Sequence, residues 1–382
     1  MSSLQFALGA LGWFLAAVWI VRCVRGGLSY RRTPRIRTRP PPSGAPLVSI
    51  LVPAKNEERN IRECLGTLLG QDYPSIEVIA IDDGSTDRTG DLIEEAARAD
   101  GRLVGLKASP TPNGWTGKNW ALSLGARRAR GDWLLFTDAD TRHGKTALSS
   151  AISHALERGL EFLSLTPGVL AGSFWERTLQ PAALGYLGLW FPLDRVNDSA
   201  RSEAFANGQY LLFRRGAYEA LGGHSAVREA YLEDVAFARG AKEREMRFEF
   251  ALGKRQFRVR MYDSFGRYFR GWHRIYLHAF DRRPGILLLR ALDVALLTLL
   301  PYGLFLFLLP PAIRSGSAAS LSLLAGSGLA VFLIQIFSGK IHSTVGETMA
   351  YSLLHPVAAL TLLGILLAAA RAAWTGAPTR WR

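Results

Sequence analysis

The stretch Val78-Ile79-Ala80-Ile81-Asp82-Asp83-Gly84-Ser85 decides the fold class. Its apolar, β-branched residues read as a buried strand, and two carboxylates follow directly at the C-terminal end. The same arrangement recurs where Trp133-Leu134-Leu135-Phe136 runs into Asp138-Ala139-Asp140. Carboxylates beyond the C-terminal ends of parallel strands lie where open α/β sheets bind ligands. A third acidic pair, Glu233-Asp234, follows further on.

Outward from this stretch the pattern alternates. Strands are expected at 48–52, 76–81, 103–106 and 133–136, with helices at 57–69, 86–99 and 119–130. Such alternation predicts an α/β domain with a mostly parallel sheet. Apolar segments bracket it. Residues 5–21 form an uninterrupted apolar run, and 286–309, 321–337 and 351–370 form three more. The first is followed, not preceded, by arginines, which is the reverse of a cleavable signal peptide. It reads as a retained anchor with the N-terminus outside and the next domain in the cytoplasm. Four spans would return the C-terminus outside, where Arg371, Arg380 and Arg382 mildly violate the positive-inside rule.

The expected domains are therefore a transmembrane anchor at 1–25, a basic Pro-rich linker at 26–46 and a catalytic α/β domain at 47–260. An amphipathic interfacial segment at 261–285 and a C-terminal transmembrane region at 286–382 complete the chain. Residues 172–193 are too broken to span and too apolar for a loop. Residues 261–280 interleave aromatics with Arg267, Arg270 and Arg274, a composition that suits either the headgroup layer or a core helix.

The chain has 382 residues and a formal net charge of +14. The excess is concentrated: residues 22–39 hold seven arginines and no acid, and 254–290 hold ten basic residues against Asp263 and Asp281. Both stretches adjoin apolar segments, so they read as anchors facing an anionic membrane surface, and nucleic acid is excluded as a partner. Two cysteines, Cys23 and Cys64, give no disulfide framework and fit a reducing compartment.

Several junctions can carry chemistry. After the first strand, Pro53-Ala54-Lys55-Asn56-Glu57-Glu58 opens a helix, whose N-terminus either binds an anion or simply starts with acids. Asp82-Asp83-Gly84-Ser85-Thr86-Asp87 is either a turn capped by Ser85 or Thr86, or a carboxylate site for a base or ribose. Asp138-Ala139-Asp140 offers hard oxygens of the kind that hold Mg²⁺ or Mn²⁺ together with substrate phosphates. His143 is a further ligand or a solvated loop histidine. Gly114-Trp115-Thr116-Gly117-Lys118-Asn119 lacks phosphate-loop glycine spacing, but Lys118 can neutralise a diphosphate. In Glu233-Asp234, one carboxylate beside another can have a raised pKa suited to a general base, or both can sit on a solvated helix face.

The ordered series of these motifs, with Asn207-Gly208-Gln209-Tyr210-Leu211-Leu212-Phe213 between the second and third acidic clusters, resembles family 2 glycosyltransferases with the GT-A fold. It is most similar to the membrane-anchored bacterial members associated with hopanoid and carotenoid pathways, and more distantly to ceramide glucosyltransferases. The resemblance implies that Pro53, Glu57, Asp83, Lys118 and Asp138 bind the nucleotide. Asp140, in the family's Asp-x-Asp motif, would ligate Mg²⁺ or Mn²⁺. Asn207, Gly208 and Glu233 would line the substrate site, and Asp234 would be the catalytic base. Processive members carry Gln-x-x-Arg-Trp where this chain reads Arg270-Gly271-Trp272-His273-Arg274. That departure favours transfer of one sugar, with Trp272 and Arg274 on the acceptor side. The loop after Asp140 also lacks a proline that many relatives have.

The expectation is a metal-dependent, inverting hexosyltransferase in the plasma membrane or cell inner membrane. It would move one sugar from a nucleotide-diphosphate donor, UDP by resemblance, to a hydroxyl of a hopanoid-, carotenoid- or sphingolipid-like acceptor. The alternatives are a polyprenyl-phosphate glycosyltransferase and an inactive membrane nucleotide-binding scaffold.

Overall fold

A computed structural model describes residues 3–377. Arg380 and Arg382 lie outside the described residues. The chain forms two compact units. One is built from Arg32–Leu170 and Leu193–Met261. The other is built from the chain up to Arg31, Ala171–Pro192 and the chain from Tyr262 onward.

The first unit contains the strands β1 (Val48–Ala54), β2 (Ile76–Asp82), β3 (Leu103–Lys107), β4 (Trp133–Phe136), β5 (Thr141–His143), β6 (Phe162–Thr166), β7 (Gly168–Val169), β8 (Leu211–Arg214), β9 (Phe248–Leu252) and β10 (Phe257–Val259). Seven of them form one sheet in the order β3-β2-β1-β4-β8-β6-β9. Only β8 runs antiparallel to its neighbours in that sheet. This is the mixed, mainly parallel α/β architecture expected of a GT-A fold. β1 and β4 are buried almost throughout, as strands covered on both faces must be.

Register places the functional loops. Ala54 pairs with Asp82, so the loops after β1 and β2 leave the sheet at one level. Phe136 pairs with Leu211 across the antiparallel step, so the residues entering β8 lie beside those leaving β4. The reversal of β8 therefore brings Asn207 and Gly208 to the edge where Asp138 emerges.

Helix starts differ from expectation. Asn56 adopts a left-handed φ of 56°, so the chain turns after β1 and the helix begins at Ile61 rather than at 57. The second helix is Thr89–Ala99, because Ser85, Thr86 and Asp87 are used to fasten loops and do not cap it at 86. The residues after Asp140 form β5, which pairs with β10 in a second sheet of order β5-β10-β7.

The Pro-rich segment read as a linker is stitched down. Leu252 N donates to Pro34 O at 2.8 Å, and Ile36 N donates to Leu252 O at 3.2 Å. The Arg39 guanidinium meets Glu157 at 2.6 Å. The segment covers part of the exposed edge of β9, which would otherwise be a template for association.

The second unit is helical. Four helices, Leu4–Arg32, Pro284–Ser315, Ala318–Val345 and Met349–Trp374, are long and apolar enough to cross a membrane. The first helix continues to Arg32, beyond the boundary of 25 read from its apolar run. Two of these helices approach closely through small residues. A Cβ on Gly326 would lie 2.7 Å from Trp13 N, and one on Gly12 would lie 2.9 Å from Ser327 N. Small residues at such crossings are how apolar helices pack without a hydrophobic driving force.

Residues expected to be too broken to span form a helix, Phe174–Trp190, opened by a capping box of Ser173 and Glu176 and containing Pro181. Against it lies the helix Phe265–Ala279. Its Tyr268, Trp272 and Tyr276 are buried, and they donate to Leu179 O at 3.0 Å, Gln180 Oε1 at 3.0 Å and Ala183 O at 2.8 Å. The buried aromatic face of 261–280 is thus a packing face of this unit.

Candidate active site

Within the sheet unit, four strand ends and two helix starts converge. At the base of the site, two loops are tied together by side chains. Asn56 N donates to Ser85 Oγ at 3.0 Å, Glu57 N donates to Thr89 Oγ1 at 2.7 Å, and Thr86 N donates to Asn56 Oδ1 at 2.8 Å. Glu58 N donates to Asp87 Oδ2 at 3.2 Å. These bonds satisfy backbone groups that an irregular loop would leave exposed, and they fix the loop carrying Asp83.

Asp83 faces Lys55, with Nζ 3.4 Å from Oδ2. It also sits over Gly117: a Cβ there would come within 2.5 Å of Asp83 Oδ2, so glycine is needed for the approach. Thr116 caps the helix Gly117–Arg128 by accepting from Asn119 N. Lys118, in its first turn, is almost fully enclosed and bridges two carboxylates. Its Nζ lies 2.8 Å from Asp138 Oδ1 and 2.7 Å from Glu233 Oε1. Burial opposes a charged amine, but Asp138 and Glu233 outweigh it and raise the Lys118 pKa, so the group stays protonated.

Glu233 and Asp234 open the helix Glu233–Glu243. Glu233 is buried, so this pair is not a solvated helix face. Asp234 makes no ion pair among the described residues, although the charge of Lys118 acts on it. Its carboxylate accepts from Gly208 N at 2.7 Å and from Val235 N at 2.8 Å. Burial, and then the charge of Glu233, push its pKa up to about 7. A carboxyl balanced between acid and carboxylate near neutral pH is suited to proton transfer. Gly208 packs so closely that a Cβ would lie 3.2 Å from Glu233 Oε1 and 3.4 Å from Lys118 Nζ. Asn207 is held from behind, with Nδ2 donating to Leu165 O and its own N–H donating to Ser164 Oγ, both at 2.9 Å.

Asp138 and Asp140 flank Ala139 beyond β4, giving two hard carboxylate groups at one strand end. Among the described residues no three His, Cys, Asp or Glu side chains converge to cage an ion. This donor set fits a Mg²⁺- or Mn²⁺-type ion held by one or two carboxylates with substrate phosphates completing the shell. His143 is neither a ligand nor a solvated loop residue. It is buried in β5, Nε2 meets the hydroxyls of Thr137 at 3.1 Å and Thr141 at 3.0 Å, and its ring stacks on Phe257. Burial lowers its pKa to about 3, which keeps it neutral.

The sheet unit therefore holds Pro53, Glu57, Asp83, Lys118, Asp138, Asp140, Asn207, Gly208, Glu233 and Asp234. Trp272 and Arg274 belong to the helical unit, where Trp272 is 1% exposed. Its indole N–H is already committed to Gln180. Sequence reading gave Asn119 no role. The structure buries it completely, with Nδ2 donating to the carbonyls of Val227 at 2.8 Å and Ala230 at 2.9 Å. It ties the loop before Glu233 to the helix that carries Lys118. Its position next to Lys118 was the one available signal.

Comparisons with known proteins agree with this architecture. Residues 49–222 match the family model for glycosyl transferase family 2. A 4,4'-diaponeurosporenoate glycosyltransferase of Staphylococcus aureus (strain N315) is 28% identical over 220 residues, covering 55% of each chain. The uncharacterised glycosyltransferase EpsJ of Bacillus subtilis is 40% identical over 95 residues, covering 25% of this chain and 26% of its own. The chain thus spans about half the length, or less, of these curated relatives. Among solved structures, the mannosyltransferase PcManGT from Pyrobaculum calidifontis, in complex with GDP-Man and Mn²⁺, superposes with a TM-score of 0.54 at 19% identity, covering 97% of this chain and 100% of that one. That likeness concerns the fold. By this match residues 49–222, which carry Asp83, Lys118, Asp138, Asp140, Asn207 and Gly208, form a family 2 glycosyltransferase domain, and Glu233 and Asp234 follow beyond it.

Proposed function

We propose that this chain is an inverting glycosyltransferase that moves one sugar from a nucleotide-diphosphate donor to a hydroxyl of a membrane lipid. The observation that carries the proposal is Asp234: a half-buried carboxylate, fixed by two backbone N–H groups and raised to about 7, beside a lysine clamped between two acids.

In this reading Asp83 and Glu57 contact the base, Pro53 shapes the nucleotide site, and Asp138 lies near the ribose. Asp234 takes the proton from the acceptor hydroxyl as its oxygen bonds to the anomeric carbon. The bond from that carbon to the diphosphate breaks on the opposite face, so configuration inverts. Lys118 holds its proton throughout and supplies fixed positive charge toward the leaving phosphates. A divalent ion on Asp140, when bound, would neutralise the same phosphates. Asn207 and Gly208 line the sugar, and Glu233 acts by holding Lys118 and raising Asp234.

A relative named for 4,4'-diaponeurosporenoate supports a carotenoid-type or other apolar acceptor. Four membrane-length helices support delivery of that acceptor from a bilayer. The arginines that follow the first apolar run support a multi-pass orientation with the sheet unit in the cytoplasm. UDP is the proposed nucleotide. Arg274 is kept as an acceptor-side residue, and Trp272 is assigned to packing.

The test is transfer from radiolabelled nucleotide sugars by membranes containing the full chain, with Mn²⁺ or Mg²⁺, followed by organic extraction. Extractable label that disappears with EDTA, with Asp140→Ala and with Asp234→Asn is the expected result. Label only in insoluble polymer would overturn single transfer. Full turnover by Asp234→Asn would overturn the base role and point to a phosphate acceptor, which needs no strong base.

A further inference from the structure

The sheet unit contains a cleft of about 580 Å³ remote from the proposed active site. Leu160, Arg247 and Phe248 line it, at the starts of β6 and β9. β4 and β6 both run antiparallel to β8, so these starts lie at the opposite end of the sheet from Asp138. Five arginines, Arg32, Arg158, Arg195, Arg201 and Arg247, line the cleft against the acids Asp194, Asp198 and Glu249.

Of these three acids, Glu249 and Asp198 are already engaged. Glu249 is held by His154 at 2.6 Å and Arg158 at 2.8 Å, and Asp198 accepts from Ala200 N at 3.0 Å and faces Arg201 at 3.8 Å. Arg195 pairs with Glu203 at 3.0 Å. Arg32 and Arg247 have no carboxylate partner among the described residues. Arg247 lies over Gly159, where a Cβ would meet Nη1 at 2.6 Å.

The wall bearing Arg195 and Arg201 is built to stay in place. Lys242 Nζ sits among the carbonyl oxygens of Arg195, Asp198, Arg201 and Glu203, at 3.2, 3.0, 3.0 and 2.6 Å, and its three N–H groups are shared among them. The Asn197 side chain pairs in both directions with the Phe250 backbone, at 2.9 and 2.7 Å. The arginines are thus presented on a fixed frame, which lowers the ordering cost of binding.

We propose that this cleft binds a phosphate group carried on the head of an anionic lipid. Guanidinium forks match phosphate oxygens bidentately, and the cleft leaves two of them uncommitted. The lipid source follows from chain continuity: Arg32 is also the last residue of the first membrane-length helix. Its wall is therefore continuous along one helix with Arg22, the first arginine after the apolar run. This inference rests on the membrane reading of the helices and not on the chemistry assigned to Asp234.

The test uses the full chain in a neutral detergent and native mass spectrometry or calorimetry. The probes are dioctanoyl phosphatidylglycerol, dioctanoyl phosphatidylcholine and inorganic phosphate. The expected result is preferential binding of phosphatidylglycerol, weakened about fivefold for each arginine lost in Arg32→Gln and Arg247→Gln, and unaltered in the distant Arg98→Gln. Neither substitution orphans an acid, and a melting profile verifies folding; if the double variant fails to fold, Arg247→Gln alone is read. Equal binding of the neutral lipid, or equal loss in Arg98→Gln, would overturn the site. Inorganic phosphate binding as tightly as phosphatidylglycerol would overturn the lipid assignment in favour of a soluble anion.

Discussion

The sheet unit and the helical unit bury polarity in different ways. In the sheet unit, buried charges are grouped and balance one another: Lys118 with Asp138 and Glu233, Glu77 with Arg130, and Glu249 with His154 and Arg158. Asp234 departs from this pattern, being stabilised by backbone N–H groups instead of an ion pair. The helical unit uses little charge. Arg22 meets Asp293 at 2.6 Å, buried Glu176 accepts from the backbone N–H groups of Gly172 and Ser173, and aromatic N–H and O–H groups cap backbone carbonyls while glycines admit neighbouring helices. The difference teaches where chemistry can reside. At Asp234 burial and Glu233 outweigh the nearby Lys118, so this carboxyl keeps a proton near neutrality, whereas an apolar bundle has few such groups to offer.

The sharpest way to break the comparison is to neutralise that exception. Asp234→Asn is expected to slow transfer by about 10²–10⁴-fold, the usual contribution of a general base, with nucleotide affinity nearly unchanged. Initial rates and donor binding by the purified chain would check both. The pH profile sharpens the same point. A base must be ionised, so kcat/KM should rise with pH through about 7, instead of through the ordinary carboxylate range near 4. Burial is the larger cause and Glu233 the second, so Glu233→Gln should move this limb to lower pH without returning it to 4.

Next in size is the charge balance itself. Lys118→Met removes the shared cation from buried Glu233 and half-buried Asp138. Breaking a buried pair from one side costs about 3–5 kcal/mol, so a large fall in Tm is expected. The double variant Lys118→Met with Glu233→Gln should recover part of that loss. No fall in the single variant would mean that water already screens the cluster.

Much of the sheet unit was legible in the sequence because its signals are local. An apolar run ending in acids states both a strand and its functional end, as at Val78–Asp83 and Trp133–Asp140. What was not legible depended on partners far away in sequence. Nothing near His143 indicates that β10 arrives to make its loop a strand. Nothing near Asn119 announces the carbonyls of residues 227–230. Trp272 reads as an acceptor-side residue because it falls where processive relatives carry Gln-x-x-Arg-Trp, and the helix Phe174–Trp190 that buries it carries no motif. Likewise the helix starts moved because Ser85, Thr86 and Asp87 could serve either as caps or as cross-loop ties, and only the tertiary structure selects between those uses.

In the helical unit the counterpart of Lys118 is a glycine. Gly326→Val would force a side chain into Trp13 N, which lies 2.7 Å from the added Cβ, and backbone cannot swing aside as a flexible side chain can. Overpacking of this kind costs about 1–3 kcal/mol. A lower Tm with normal initial rates at low temperature is the expected outcome. The same change at Gly303, where an added Cβ meets nothing within 4 Å, serves as the control.

The smallest effect separates the two units by acid. Glu77 is buried in the sheet, and burial pushes its carboxyl up. Hydrogen bonds from Ser49 Oγ, the Arg130 backbone N–H and the Arg130 guanidinium outweigh that and hold its pKa below the ordinary value. A lowered native pKa means that the stabilisation is present above the unfolded value, near 4.3, and is lost as pH falls through the native one. Hydrogen exchange followed from pH 6 to pH 3 should therefore show β1 and β2 loosening toward the acid end, and Glu77→Gln should flatten that response while costing little at neutral pH. The glycine-packed crossing at Gly12 and Gly326, between two helices whose own sequences contain no Asp or Glu, should exchange at a pH-corrected rate that stays constant. If both units loosened together, acid would be acting through general charge repulsion, and the division between a charge-balanced sheet and a charge-poor bundle would lose its energetic meaning.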